Sequence, residues 1–175
     1  MQSKSGKIIR FFAFAAVMLT VLTVGCRTTT YSGMPRHIKT VEVHIFQNKT
    51  MYNSIEAWVT RDIIDRINMD PTIRVSSRNG DALITGEIVG VRRKTLRETT
   101  NNEPGTVLIT VEARFSFYDN VKRQYIIEDM LVRSTETGMS PGIYEASRGG
   151  LSEEGEKGAA KQIAAEIVRR TVGMW

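Results

Sequence analysis

Between Thr106 and Tyr118 every second residue is apolar: Val107, Ile109, Val111, Ala113, Phe115 and Phe117. Period two sustained this long marks a strand with one buried face. Such a face needs a second layer over it, because an amphipathic sheet cannot leave its apolar side in water. Two segments of helical period supply the cover. In Ser54–Asn68, Ile55, Val59, Ile63 and Ile67 recur at four-residue steps beside Trp58 and Ile64, with Glu56 and Asp62 on the other side. Ser54 is placed to cap this helix, and Asp70-Pro71 ends it, since the residue before proline is pushed out of helical geometry. In Ser152–Met174, Ala160, Ile163, Ile167 and Thr171 form a stripe widened by Ala164 and Val168. Glu153, Glu154 and Glu156 near its start and Arg169 and Arg170 near its end match the helix dipole.

The remaining strands are shorter or less regular. Ile38–Phe46 alternates from Val41 to Ile45, and Asn48-Lys49-Thr50 ends it. Thr72–Ser76 is a short strand before an Arg78–Asp81 turn. Ala82–Arg92 sets Leu83, Val89 and Val91 on one face and Ile84, Gly86, Ile88 and Gly90 on the other, where the glycines would admit a closely packed helix. Pro104-Gly105 suits the centre of a type II turn at the following hairpin tip. Gln124–Ser134 returns as a strand of ambiguous facing, and Thr135–Leu151 has no period. The order predicts an α+β two-layer sandwich, with two helices on one face of a four- to five-stranded mixed, mostly antiparallel sheet.

The N-terminus carries a different signal. Lys4, Lys7 and Arg10 precede the uncharged run Phe11–Val24, which ends at Gly25-Cys26. A basic start, an apolar run and small residues at the end read as an export signal over 1–25. The run falls short of the roughly 20 apolar residues of a spanning helix. Cys26 is the single cysteine, so the expectation is cleavage before it and acylation of its thiol, followed by a polar tether over 26–36 and one domain over 37–175. A lone thiol excludes a disulfide and a Cys-based zinc site. The whole chain has formal charge +5, but the signal holds three of its 24 basic residues and none of its 19 acids, leaving +2. That modest charge and the export signal argue against a nucleic-acid partner.

No catalytic set is legible and no cofactor is implied. His37 and His44 share no metal-ligand spacing with each other or with acids, and no phosphate loop, dinucleotide fingerprint or nucleophile elbow occurs. Glu153 and Glu154, being adjacent on a helix, point apart. One cluster stands out: Arg92, Arg93, Lys94 and Arg97 lie within six residues at a strand end. Arg92 and Lys94 share a face if the strand continues. The cluster reads either as a solvated hairpin arm blunted against edge pairing or as a site for phosphate, which arginine grips with its planar fork.

These residues, in this order, resemble the lipopolysaccharide-assembly lipoprotein family, LptE. The resemblance is carried by Gly25-Cys26, by the strand from Ile38 to Val43 with Phe46-Gln47-Asn48-Lys49-Thr50, by Ile55-Glu56 to Thr60-Arg61, by Asp81–Ile88, and by the closing helix. It implies a non-catalytic outer-membrane lipoprotein, acylated at Cys26 (palmitate among the chains). Such a protein plugs and helps assemble the LptD barrel and contacts lipopolysaccharide, here through Arg92, Arg93, Lys94 and Arg97. Arg27 after the cysteine, in place of an aspartate, favours the outer membrane. The alternative is an outer-membrane lipoprotein that activates a periplasmic cell-wall synthase or serves another secretion or assembly complex.

Overall fold

The computed structural model describes residues 34–98, 100, 104–134, 142–145 and 152–173, all within the unit Ser32–Trp175. The expected signal 1–25, Cys26, most of the tether, residues 101–103 of the hairpin tip and Trp175 lie outside the described residues.

The elements run β1 Thr40–Val43, β2 Gln47–Asn48, α1 Ile55–Asn68, β3 Arg74–Ser76, β4 Ala82–Glu98, β5 Pro104–Asp119, β6 Gln124–Arg133, β7 Gly142–Glu145 and α2 Ser152–Val172. The sheet order is β3-β1-β4-β5-β6, with β2 also on β4 and β7 also on β5. β1 is parallel to β3 and β4, and β2 is parallel to β4. The long pairings of β5 with β4, β6 and β7 are antiparallel. This is the expected two-layer α+β fold, with seven strand segments in place of four or five. The count rises because β2, Gln47–Asn48, follows just past the end of the first expected strand, and because the aperiodic 135–151 segment contributes β7. Four residues are too few to show a period, and β7 is defined by its partner, with Gly142 to Glu145 pairing Ile109 to Thr106. The remainder of that segment, 135–141 and 146–151, lies outside the described residues.

A single core joins the layers. Ile55, Val59, Ile63 and Ile67 of α1 meet Ala160, Ile163, Ala164 and Ile167 of α2 over Ile84, Ile88, Ile109, Val111, Ala113, Phe115 and Phe117 of the sheet. Each fully buried aliphatic or phenylalanine side chain contributes about 1.5–3 kcal/mol by leaving water. The alternating face of β5 is thus the floor of the core, as its period predicts.

Local geometry departs from expectation at five places. The chain bends after Val43, so Ile45 is exposed and Phe46 turns into the core instead. Its ring lies on Gly86, where an added Cβ would stand 2.3 Å from Phe46 Cε1, so a ring rather than a helix uses that glycine. Ser54 has φ 72° and makes no side-chain cap. Pro104 and Gly105 open β5 instead of centring a turn, with Pro104 opposite Glu98. β4 does not stop at Arg92 but continues to Glu98 through a bulge between Ile88 and Gly90. The bulge adds one residue and swaps the faces beyond it. Gly90 therefore pairs with outward Glu112, while Val91 pairs with inward Val111.

The Phe46–Thr50 stretch is an architectural turn. Asn48 Oδ1 accepts from Thr50 N and Oγ1, both at 2.8 Å, and Asn48 Nδ2 donates to Tyr52 O at 2.6 Å and Glu56 Oε2 at 2.7 Å. Phe46 N donates to Thr60 Oγ1 at 3.0 Å, tying the chain just before β2 to α1. Asp81, just before β4, holds the start of β1, accepting from Lys39 N at 2.8 Å and Thr40 N at 2.9 Å.

Candidate functional site

Beyond the bulge, residues Arg92 to Glu98 of β4 are all exposed, while the facing stretch of β5 keeps Val107, Ile109 and Val111 buried. Cross-strand partners share a face, so the register sorts the four cations. Arg92 lies opposite Thr110, Lys94 opposite Leu108 and Arg97 opposite Thr106, all on the outer face of the sheet. Arg93 lies opposite buried Ile109, on the helix side. Arg93 Nη2 donates to Glu156 Oε1 of α2 at 2.7 Å, and its guanidinium stands 5.0 Å from the Tyr52 ring centroid. Arg93 therefore straps the arm to the helix layer. The sequence cluster of four becomes a row of three and one brace.

The row has its own counter-ion. Arg92 Nη2 donates to Glu112 Oε2 at 3.0 Å, and Arg133 Nε of β6 donates to Glu112 Oε1 at 2.7 Å. Among the described residues the side chains of Lys94 and Arg97 make no ion pair. Leu108 faces outward beside Lys94 and is paired with Ile143, itself 42% exposed; Leu96, the residue inserted at the second bulge, is 48% exposed. The arm thus offers cations interleaved with apolar side chains, which is the pattern an anionic amphiphile needs. Sequence reading missed Glu112 and Arg133, which sit on other strands and are brought to Arg92 only by the sheet register.

The other ionised groups hold the scaffold. Asp119 is nearly buried and accepts from Val121 N at 3.0 Å, Lys122 N at 2.9 Å and, at 2.6 Å, pairs with His37 Nε2. Burial pushes its carboxyl up, but the Lys122 amide and His37 outweigh it and hold it below the usual range. Glu166, fully buried, is held by Arg169 at 2.5 and 2.8 Å and by Arg170. Burial raises its carboxyl too, and the two guanidiniums bring it below the usual range. His44 pairs with Glu42 at 2.9 Å on the surface. Trp58 packs on the core edge with Lys157 Nζ 5.3 Å from its ring.

Two open depressions lie elsewhere. One, of about 200 Å³, is lined by Gln47, Glu87, Arg114 and Asp129; the other, of about 490 Å³, by Glu42, His44, Asp81 and Asn120. Most of the charged groups there are engaged with neighbours: Arg114 with Asp129, His44 with Glu42, and Asp81 with backbone amides. Among the described residues no three His, Cys, Asp or Glu side chains are placed to hold a metal ion, and no helix is long and apolar enough to cross a membrane.

Comparison with known proteins bears on this geometry. The sequence model of the family LptE, described as lipopolysaccharide-assembly, matches residues 38–172. No curated protein sequence matches the chain. Among solved structures, an uncharacterized lipoprotein B from Nitrosomonas europaea aligns over 85% of this chain and 90% of its own, with TM-score 0.50 and 12% identity. A PelC dodecamer from Paraburkholderia phytofirmans aligns over 81% and 95%, with TM-score 0.49 and 15% identity. The rare lipoprotein B from Shewanella oneidensis aligns over 75% and 92%, with TM-score 0.42 and 12% identity. At these identities the first likeness speaks to the shared fold.

Proposed function

The chain belongs to the lipopolysaccharide-assembly family LptE, and from that premise we propose that it is an outer-membrane lipoprotein that supports lipopolysaccharide transport as plug and assembly partner of the LptD barrel. The observation that carries this reading is the family match across 38–172, which spans both helices and every strand. The role asks for binding and positioning without chemistry. Acyl chains on Cys26 would anchor the domain, since several chains hold a membrane stably where one does not.

In this reading the outer row Arg92, Lys94 and Arg97 meets the phosphates of lipopolysaccharide, and Leu96 and Ile143 meet its apolar portion. Arg93 keeps the arm on the body through Glu156 and Tyr52. The row would act by attraction and by hydrogen bonding, the guanidiniums gripping phosphate oxygens in pairs and the lysine serving as a point charge.

Affinity purification of the full-length protein from detergent-solubilised outer membrane tests the partner. Recovery of LptD in stoichiometric amount is the expected result; recovery of a penicillin-binding protein in its place would move the protein to cell-wall synthesis. Mass spectrometry of the mature N-terminus tests the anchor, which an unacylated Cys26 would remove. Lys94→Glu combined with Arg97→Glu is expected to weaken lipopolysaccharide binding by about tenfold at low salt, with the circular dichroism spectrum unchanged.

A further inference from the structure

Glu112 is out of keeping with its surroundings. It is only 8% exposed, yet it lies on the solvent side of the sheet amid cations. Gly90 stands opposite it, and a Cβ there would come 3.3 Å from Glu112 Oε2, so the glycine leaves the carboxylate room to lie against the sheet. Each carboxylate oxygen has its own arginine, Arg92 from β4 and Arg133 from β6. Arg92 nevertheless keeps 71% of its side chain exposed, so a ligand can reach it without any backbone movement.

We propose that Glu112 is a specificity-determining residue of the basic row: it gives Arg92 a resident carboxylate, so that the site selects phosphate monoesters over singly charged anions. This rests on the reading of the row as an anion site. The reasoning is an exchange. A phosphodiester carries one negative charge, as the carboxylate does. Moving Arg92 from Glu112 to such an anion gains no charge and leaves a nearly buried carboxylate one partner short, which is costly. A phosphate monoester carries about −1.5 to −2 at neutral pH and three strong acceptor oxygens. It can share Arg92 with Glu112 or outcompete it. Lys94 and Arg97 attract both kinds of anion, the more highly charged monoester more strongly, so they raise affinity for both and add to the preference that Arg92 and Glu112 set.

The test is calorimetric titration of the full-length protein in neutral detergent micelles. The probes are dihexanoyl phosphatidic acid (a monoester), dihexanoyl phosphatidylglycerol (a diester) and glycerol 3-phosphate. The wild type is expected to bind the monoester lipid at least about tenfold more tightly than the diester lipid. Glu112→Gln releases Arg92, whose hydrogen bonds a diester then gains and a monoester already shares, so diester binding should strengthen by about threefold or more at low salt, the scale of one net hydrogen bond, and the ratio should narrow. Glu112→Thr, a β-branched residue suited to a strand, provides a second route if the glutamine variant folds poorly. An unchanged ratio in the folded variants overturns the role of Glu112, and so does a lack of monoester binding in wild type and variants alike. Lys94→Glu with Arg97→Glu should weaken both lipids, the monoester more, whereas Glu112→Gln strengthens the diester. If that double variant binds as the wild type does, the row reading falls, while a ratio narrowed by Glu112→Gln still upholds Glu112 at Arg92 and Arg133. Glycerol 3-phosphate binding as tightly as the monoester lipid supports the chemistry and assigns it to free esters; weaker binding supports it and assigns it to lipid.

Discussion

β4 is one strand with two lives. Its first half, Ala82 to Ile88, is bonded on both edges, by β1 and β2 on one side and β5 on the other, and Ala82, Ile84 and Ile88 are fully buried. Its second half, Arg92 to Glu98, keeps β5 as its strand partner among the described residues and is exposed throughout. A single inserted residue between Ile88 and Gly90 separates the two. The contrast teaches that a continuous strand can serve stability at one end and recognition at the other when a bulge resets which face looks where. Substitutions in the first half should change stability and spare binding; those in the second should do the reverse.

The largest expected effect lies in the sheltered half. Phe117→Ala, opposite Ile84 and fully buried, should cost about 3–5 kcal/mol in urea unfolding. A loss below 1 kcal/mol would break the contrast. Next is Gly86→Ala, whose new Cβ would meet the Phe46 ring at 2.3 Å and Arg114 O at 2.7 Å. Overpacking of this kind should cost about 1–3 kcal/mol, whereas the same change at Gly90, beside the movable Glu112 carboxylate, should cost less. Acid sharpens the contrast further. Asp119 and Glu166 have folded-state carboxyls held below their ordinary values of 3.8 and 4.5. Their contribution is therefore present above those values and is lost as pH falls through the lower folded-state ones. Asp119→Asn should lower the melting temperature at pH 7 and flatten its fall in acid, while Lys94→Glu should leave that acid limb alone. Smallest of all, Lys94→Glu or Arg97→Glu alone should shift stability by less than about 0.5 kcal/mol, as thermal melts would show, while still weakening lipopolysaccharide binding.

The same division governs what the sequence makes legible. β5, α1 and α2 are long and periodic, and their buried stripes from Ile55 to Ile67 and from Ala160 to Val168 lie in the core where the pattern places them. Features fixed by pairing at a distance carry no local pattern. β7 exists because Leu108 and its neighbours offer an edge. The face of Arg93 depends on a bulge beside Gly90; a glycine inside a strand often marks a bulge, but it marks a close packing contact just as often and does not fix the register, and Val91 moves to the helix side for the same reason. The cation cluster is visible as a run of charges, but its division into row and brace, and its link to Glu112 and Arg133, needs three strands in register. Ser54 looks like a cap by residue type, yet its left-handed backbone turns the chain without one.

The length of β4 has a mechanical consequence. Seventeen residues at 3.3–3.4 Å each make a rod of roughly 55 Å, running unbroken in chain from the foot of the sheet to the arm. A pull on the arm along this axis would load the β4–β5 rungs side by side, in shear, so that they resist together instead of opening one after another. The Arg93 strap adds a sideways stay to the helix layer. A load taken up at the exposed end would thus be carried down into the packed half of the molecule as tension along a single strand.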